Sequence, residues 1–120
     1  MDTSAALLGM TPREALDTLE KSLGMSEDEL AQALNSHRRT LQRWRAGTAY
    51  PQRLARQRLA ELLRLQQRVR ETFKGRDAIR RWFQTESRYL GDMTPAEAIR
   101  VGRLDRVEAA LEALDSGVFV

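Results

Sequence analysis

Two short stretches, MTPREA at residues 10–15 and MTPAEA at 93–98, carry the same local instruction. Threonine followed by proline, with glutamate three residues on, is a capping box. The threonine hydroxyl accepts from the glutamate backbone N–H, the carboxylate accepts from the threonine N–H, and proline occupies the one helical turn that needs no N–H from it. Each stretch therefore predicts a helix start. Ser26 and Glu29 repeat the box without proline. The likeness of the two longer stretches reflects shared capping chemistry rather than duplication. Glycines at 24, 47, 102 and 117 supply the matching stops. Strand-like alternation is absent and the intervening residues are helix formers, so the expected fold is all-α.

Between these signals the apolar residues fall at helical spacing. Leu16, Leu19 and Leu23 stripe a first helix from Pro12 to Gly24. A second runs from Ser26 to Leu34, and a third from His37 to Arg45. After Pro51 a long fourth helix places Ala55, Leu59, Leu62, Val69 and Phe73 on one face, widened by Leu54, Leu63 and Leu65. So broad a face must bury more than one side, and it also suggests self-association. A fifth helix carries Ile79, Trp82 and Phe83, followed by a loop with Tyr89 and Leu90. A sixth opens at Thr94. The last spaces Leu104, Val107, Leu111 and Leu114 by three, four and three and ends at Gly117. The division expected is residues 1–74, a helix-turn-helix bundle with its long connecting helix, and residues 75–120, a small C-terminal helical unit.

The most specific local pattern is SEDELAQALNSHRRTLQRWRAG. A helix-turn-helix needs a small residue where its helices cross, a residue tolerant of left-handed backbone in the turn, and inward apolar positions on the second helix. Ala31, Asn35, and Leu41 with Trp44 fill those places. His37, Arg38, Arg39, Gln42 and Arg43 are then left to the outer face. Arginine can bond guanine in bidentate fashion, glutamine can bond adenine, and the rest can hold phosphates. Arg53, Arg56 and Arg58 follow as candidate backbone contacts. The competing reading is a three-helix packing unit with solvated arginines.

Charge is partitioned in agreement with the DNA reading. Residues 1–35 hold two basic against seven acidic side chains, residues 36–75 eleven against two, and residues 76–120 seven against eight. The middle third thus suits a polyanion such as double-stranded promoter DNA. No cysteine is present and His37 is the only histidine, so neither a disulfide nor a His/Cys zinc site can form. No glycine-rich phosphate loop follows a strand, and the carboxylates are dispersed. The expectation is no enzyme, no cofactor and no metal. No basic leader and no run of about 20 apolar residues points to a membrane, so the cytoplasm is the expected compartment.

The segments GMSEDELAQALNSHRRTLQRWRAGTAYPQR and RRWFQTESRYLGDMTPAEAIRVGRLDRVEAALEALDSGVFV together resemble the Xre/MbcA/ParS antitoxins of bacterial toxin–antitoxin operons. The likeness runs from Leu23 to the end. Its specific part is Trp82, the YLGDMTPAEAI block, Gly102, the Val107/Leu111/Leu114 spacing, and Gly117 with the VFV that follows. The resemblance implies a RES-domain toxin that degrades NAD as partner, an N-terminal unit that binds the operon promoter, and a homodimer within a larger complex. It implies that the C-terminal unit grips the toxin and brings the chain's end to the NAD pocket. Trp82, Tyr89, Gly117, Val118, Phe119 and Val120 are the positions so implied. Burying Phe119 in a cleft is worth about 2 kcal/mol before ordering costs. The tail has a second reading, in which Phe119 packs back on its own helices. A stand-alone repressor whose C-terminal unit only dimerises is the alternative function. Members of this group differ in how basic the recognition helix is, so promoter binding rests on Arg38, Arg39, Gln42 and Arg43 themselves.

Overall fold

A computed structural model describes residues 7–117, so the expected occluding end, Val118, Phe119 and Val120, lies outside the described residues. Seven α-helices follow in order: α1 Pro12–Leu23, α2 Glu27–Ala33, α3 Arg38–Ala46, α4 Arg53–Thr72, α5 Arg76–Phe83, α6 Pro95–Arg100 and α7 Leu104–Asp115. A single 3-10 turn, Arg88–Leu90, interrupts the link from α5 to α6. No strand occurs among the described residues, so the all-α expectation holds.

All three capping boxes form as the spacing requires. Thr11, Ser26 and Thr94 each accept from the backbone N–H three residues on, and Glu14, Glu29 and Glu97 each take the N–H of the cap. Each such cap is worth about 1 kcal/mol. Asn35 carries the left-handed turn between α2 and α3 at φ 51°, a conformation its short polar side chain tolerates. Gly24 closes α1 at φ 69°, and a β-carbon there would meet the Arg80 Cγ at 3.2 Å. The stop is thus fixed by backbone geometry and by α5 crossing close by.

Packing joins the two ends of the chain. α1 lies against α3, α4 and α5, α2 touches α3 and α6, and α4 continues onto α7. The buried apolar side chains form one continuous cluster, from Leu16, Leu19 and Leu23 on α1 through Leu41 and Trp44 on α3 to Phe83, Ile99 and Leu111. At about 2 kcal/mol for each fully buried leucine, this cluster is the main source of stability. The wide face of α4 is used within the chain: Leu59, Leu62, Leu63, Leu65 and Val69 are all buried. Gln66, buried among them, donates to the Ser22 hydroxyl at 3.1 Å and so fixes α4 to α1. The Arg68 guanidinium, 2.9 Å from Glu112 and 3.5 Å from Asp115, fixes α4 to α7.

Leu54 departs from expectation. It is 75% exposed, because it sits in the first turn of α4, ahead of the stretch from Leu59 that neighbouring helices cover. Tyr50, just before, is 59% exposed. Self-association therefore draws no support from the broad face of α4, whose remaining apolar exposure is confined to this first turn.

Candidate functional site

Two surfaces carry the candidate residues. The first is the outer side of α3. Leu41 and Trp44 are buried, which turns His37, Arg38, Arg39, Gln42 and Arg43 outward, all exposed, with Arg53 exposed at the start of α4. The helix thus divides by its own periodicity into an apolar inner side and a cationic outer side. Arg39, Gln42 and Arg43 lie three and four residues apart, on one stripe of the helix surface.

Sequence reasoning missed the side chain that holds this helix in place. Arg45, only 21% exposed, bonds the carboxylates of Asp17 and Glu20 on α1, and its Nε lies 3.5 Å from Glu27 on α2. One guanidinium therefore ties three helices together through charge-assisted bonds. The signal was present: the acidic residues of the N-terminal third fall on helix faces that must pack beside the basic helix. Burial raises the Glu20 carboxyl above its ordinary value, Arg45 opposes that rise, and Glu27 and Asp17 add to it. Arg38 is drawn the same way, 3.6 Å from Glu27 and 3.8 Å from Asp28, with its side chain 61% exposed. At that exposure the contact is weak and can exchange for a phosphate. Arg56 lies 5.6 Å over the Tyr50 ring and donates to the Pro51 carbonyl at 2.6 Å, so it is engaged within the chain.

The second surface is built by α5 and α7. Trp82 is half-buried, its ring 5.2 Å from Phe73 and 6.2 Å from Phe83 by centroids. Its outer side opens on a groove of about 230 Å³ lined by Thr85, Ser87, Ala110 and Leu114. Leu114 and Tyr89 are exposed, and so is Val101 beyond α6. α7, which carries Leu114, ends at Asp115, and Gly117 follows at φ 74°. The structure thus brings Trp82 and Leu114 to one groove, with Gly117 three residues beyond Leu114. Val101 and Leu114 were not singled out as contacts, since at helical spacing each reads equally well as core. Among the described residues no cluster of His, Cys, Asp or Glu has the geometry to hold a metal, and no helix is long and apolar enough to cross a membrane.

Comparison with known proteins places this arrangement. Residues 68–117 match the model of the antitoxin Xre/MbcA/ParS C-terminal toxin-binding domain. The mycobacterial cidal antitoxin MbcA, in both Mycobacterium tuberculosis and Mycobacterium bovis, is 36% identical over 98 residues, which is 82% of this chain and 86% of MbcA. The chain belongs to the Xre/MbcA/ParS antitoxin family. The crystal structure of the M. tuberculosis MbcT–MbcA toxin–antitoxin complex contains a chain that superposes with a TM-score of 0.69 at 32% identity, covering 90% of this antitoxin and 96% of that chain. The match to the toxin-binding domain model contains α5, α6, α7 and the Trp82–Leu114 groove, and begins inside the last turns of α4.

Proposed function

We propose that this antitoxin neutralises a RES-domain, NAD-degrading toxin in the cytoplasm by seating its C-terminal unit, residues 75–120, on the toxin so that the chain's end covers the NAD pocket. The observation that carries this reading is the groove formed by Trp82 and Leu114, which lies inside the region similar to a toxin-binding domain and borders the exit of α7. An exposed aromatic and aliphatic surface of this kind, rimmed by polar side chains, is what a stable protein interface needs. Tyr89 and Gly117 complete the proposed contact, with Val118, Phe119 and Val120 as the occluding end.

The same reading makes residues 1–74 a promoter-binding unit, with His37, Arg38, Arg39, Gln42, Arg43 and Arg53 facing DNA as a homodimer that represses its own operon. Two recognition helices one DNA turn apart multiply the affinity of each. The test of the inhibitory part is deletion of Val118–Val120, assayed with purified toxin for NAD loss and for complex formation. A complex that forms but no longer protects NAD is the expected result. Full protection by the shortened chain would remove the tail from the mechanism, and loss of the complex in Trp82→Ala combined with Leu114→Ala is the expected result for the groove.

A further inference from the structure

A third feature belongs to neither surface. Where the end of α1, the end of α4 and the start of α5 meet, a hollow of about 600 Å³ is lined by Lys21, Arg70, Lys74 and Arg76, with Glu71 as its one carboxylate. Elsewhere the chain pairs cations with acids that lie close, as Arg45, Arg68 and Arg100 do. None of these four makes an ion pair among the described residues. Four like charges around one concavity repel one another, and a concave wall concentrates their potential. Glu71 offsets only one of the four, so the lining keeps an excess of positive charge that an added anion can meet.

We propose that this hollow binds a small phosphate-bearing ligand of nucleotide size. Arg70 and Arg76 present guanidinium forks suited to phosphate oxygens, and Lys21 and Lys74 add point charges. The remaining wall is mixed. Phe73 and Ile79 offer apolar surface, while Thr18 and Ser22 bring hydroxyls; the Ser22 oxygen already accepts from Gln66, which leaves its O–H free to donate. A few charged groups on a part-apolar wall, at this volume, match the common form of small-molecule clefts. The site lies at the far end of α4 from Arg53, about 30 Å along a helix of 20 residues, while its Lys21 follows directly on Glu20, which holds Arg45 of α3.

The experiment is an amide NMR titration of the full chain with ADP as probe, beside inorganic diphosphate and a short DNA duplex. ADP should give saturating shifts centred on Gly75, Arg76 and Ile79. The triple variant Arg70→Ala, Lys74→Ala, Arg76→Ala alters exposed side chains only, and should weaken binding at least about tenfold with an unchanged thermal melt. Diphosphate should bind at the same amides more weakly, for lack of contact with Phe73 and Ile79. No saturation by about 10 mM ADP overturns the proposal, as does undiminished binding by the triple variant or equal affinity for diphosphate. A duplex that shifts these amides even after Arg39→Ala and Arg43→Ala would assign the hollow to DNA backbone and overturn the small-ligand reading.

Discussion

The outer face of α3 and the groove at α5 and α7 are built from opposite materials. The first exposes cations on a helix clamped from behind by Arg45; the second presents half-buried Trp82 and exposed Leu114 on helices held by apolar packing. A charged face attracts its partner at a distance and is screened by salt, whereas an apolar groove gains most when water leaves it. On the proposed function, one small chain would hold two partners whose affinities answer to different conditions.

Salt should separate them most widely. Raising it from about 50 to 200 mM is expected to weaken promoter retention about a hundredfold if four arginines meet phosphates, and to leave the toxin complex within about threefold. Parallel mobility-shift and toxin-capture series measure this, and equal slopes would erase the distinction.

The two tryptophans sharpen the same contrast. Trp44 is buried inside α3, so Trp44→Ala should cost about 3–5 kcal/mol in denaturant unfolding. Trp82, open on one side, should cost less than about 2 kcal/mol while toxin capture is lost. A larger stability loss at Trp82 than at Trp44 would make Trp82 a core residue first.

Arg45→Ala comes next, at about 2 kcal/mol, since it leaves Asp17, Glu20 and Glu27 facing one another without a cation. It should also weaken DNA retention, through misplacement of α3. Arg39→Ala, by comparison, should change stability by less than about 0.5 kcal/mol and act on DNA retention alone.

The smallest effect is that of pH on Glu20. Because its folded value is raised, the neutral form favours folding: that contribution is complete below the ordinary carboxylate value of about 4.5 and fades as pH rises through the folded value. Glu20→Gln should therefore gain stability relative to the parent as pH climbs through that window. Glu14 runs the other way. Its bonds with Thr11 hold it below its ordinary value, so its contribution is present at neutral pH and fades as pH falls. Denaturant midpoints across a pH series read both.

Helix starts and stops were legible because each is decided within about four residues, as at Thr11–Glu14 and Thr94–Glu97. The outward set on α3 was legible too, since burying Leu41 and Trp44 dictates which residues remain outside. What sequence could not give was who packs on whom. The Arg45 clamp joins residues 25 and 28 positions apart, Arg68 reaches Glu112 across 44, and Leu54 is exposed because no neighbouring helix extends over the first turn of α4. Periodicity names a face; only the assembled neighbours say whether that face is covered.

The shared core has a mechanical consequence. With α5 seated on α1, α6 on α2 and α7 on α4, there is no slack tether between the end that would grasp a promoter and the end that would carry cargo. A chain seated on a duplex holds its other end at a set bearing and reach, so the helical phase between neighbouring operators would dictate whether two loaded copies collide, ignore each other or stack side by side.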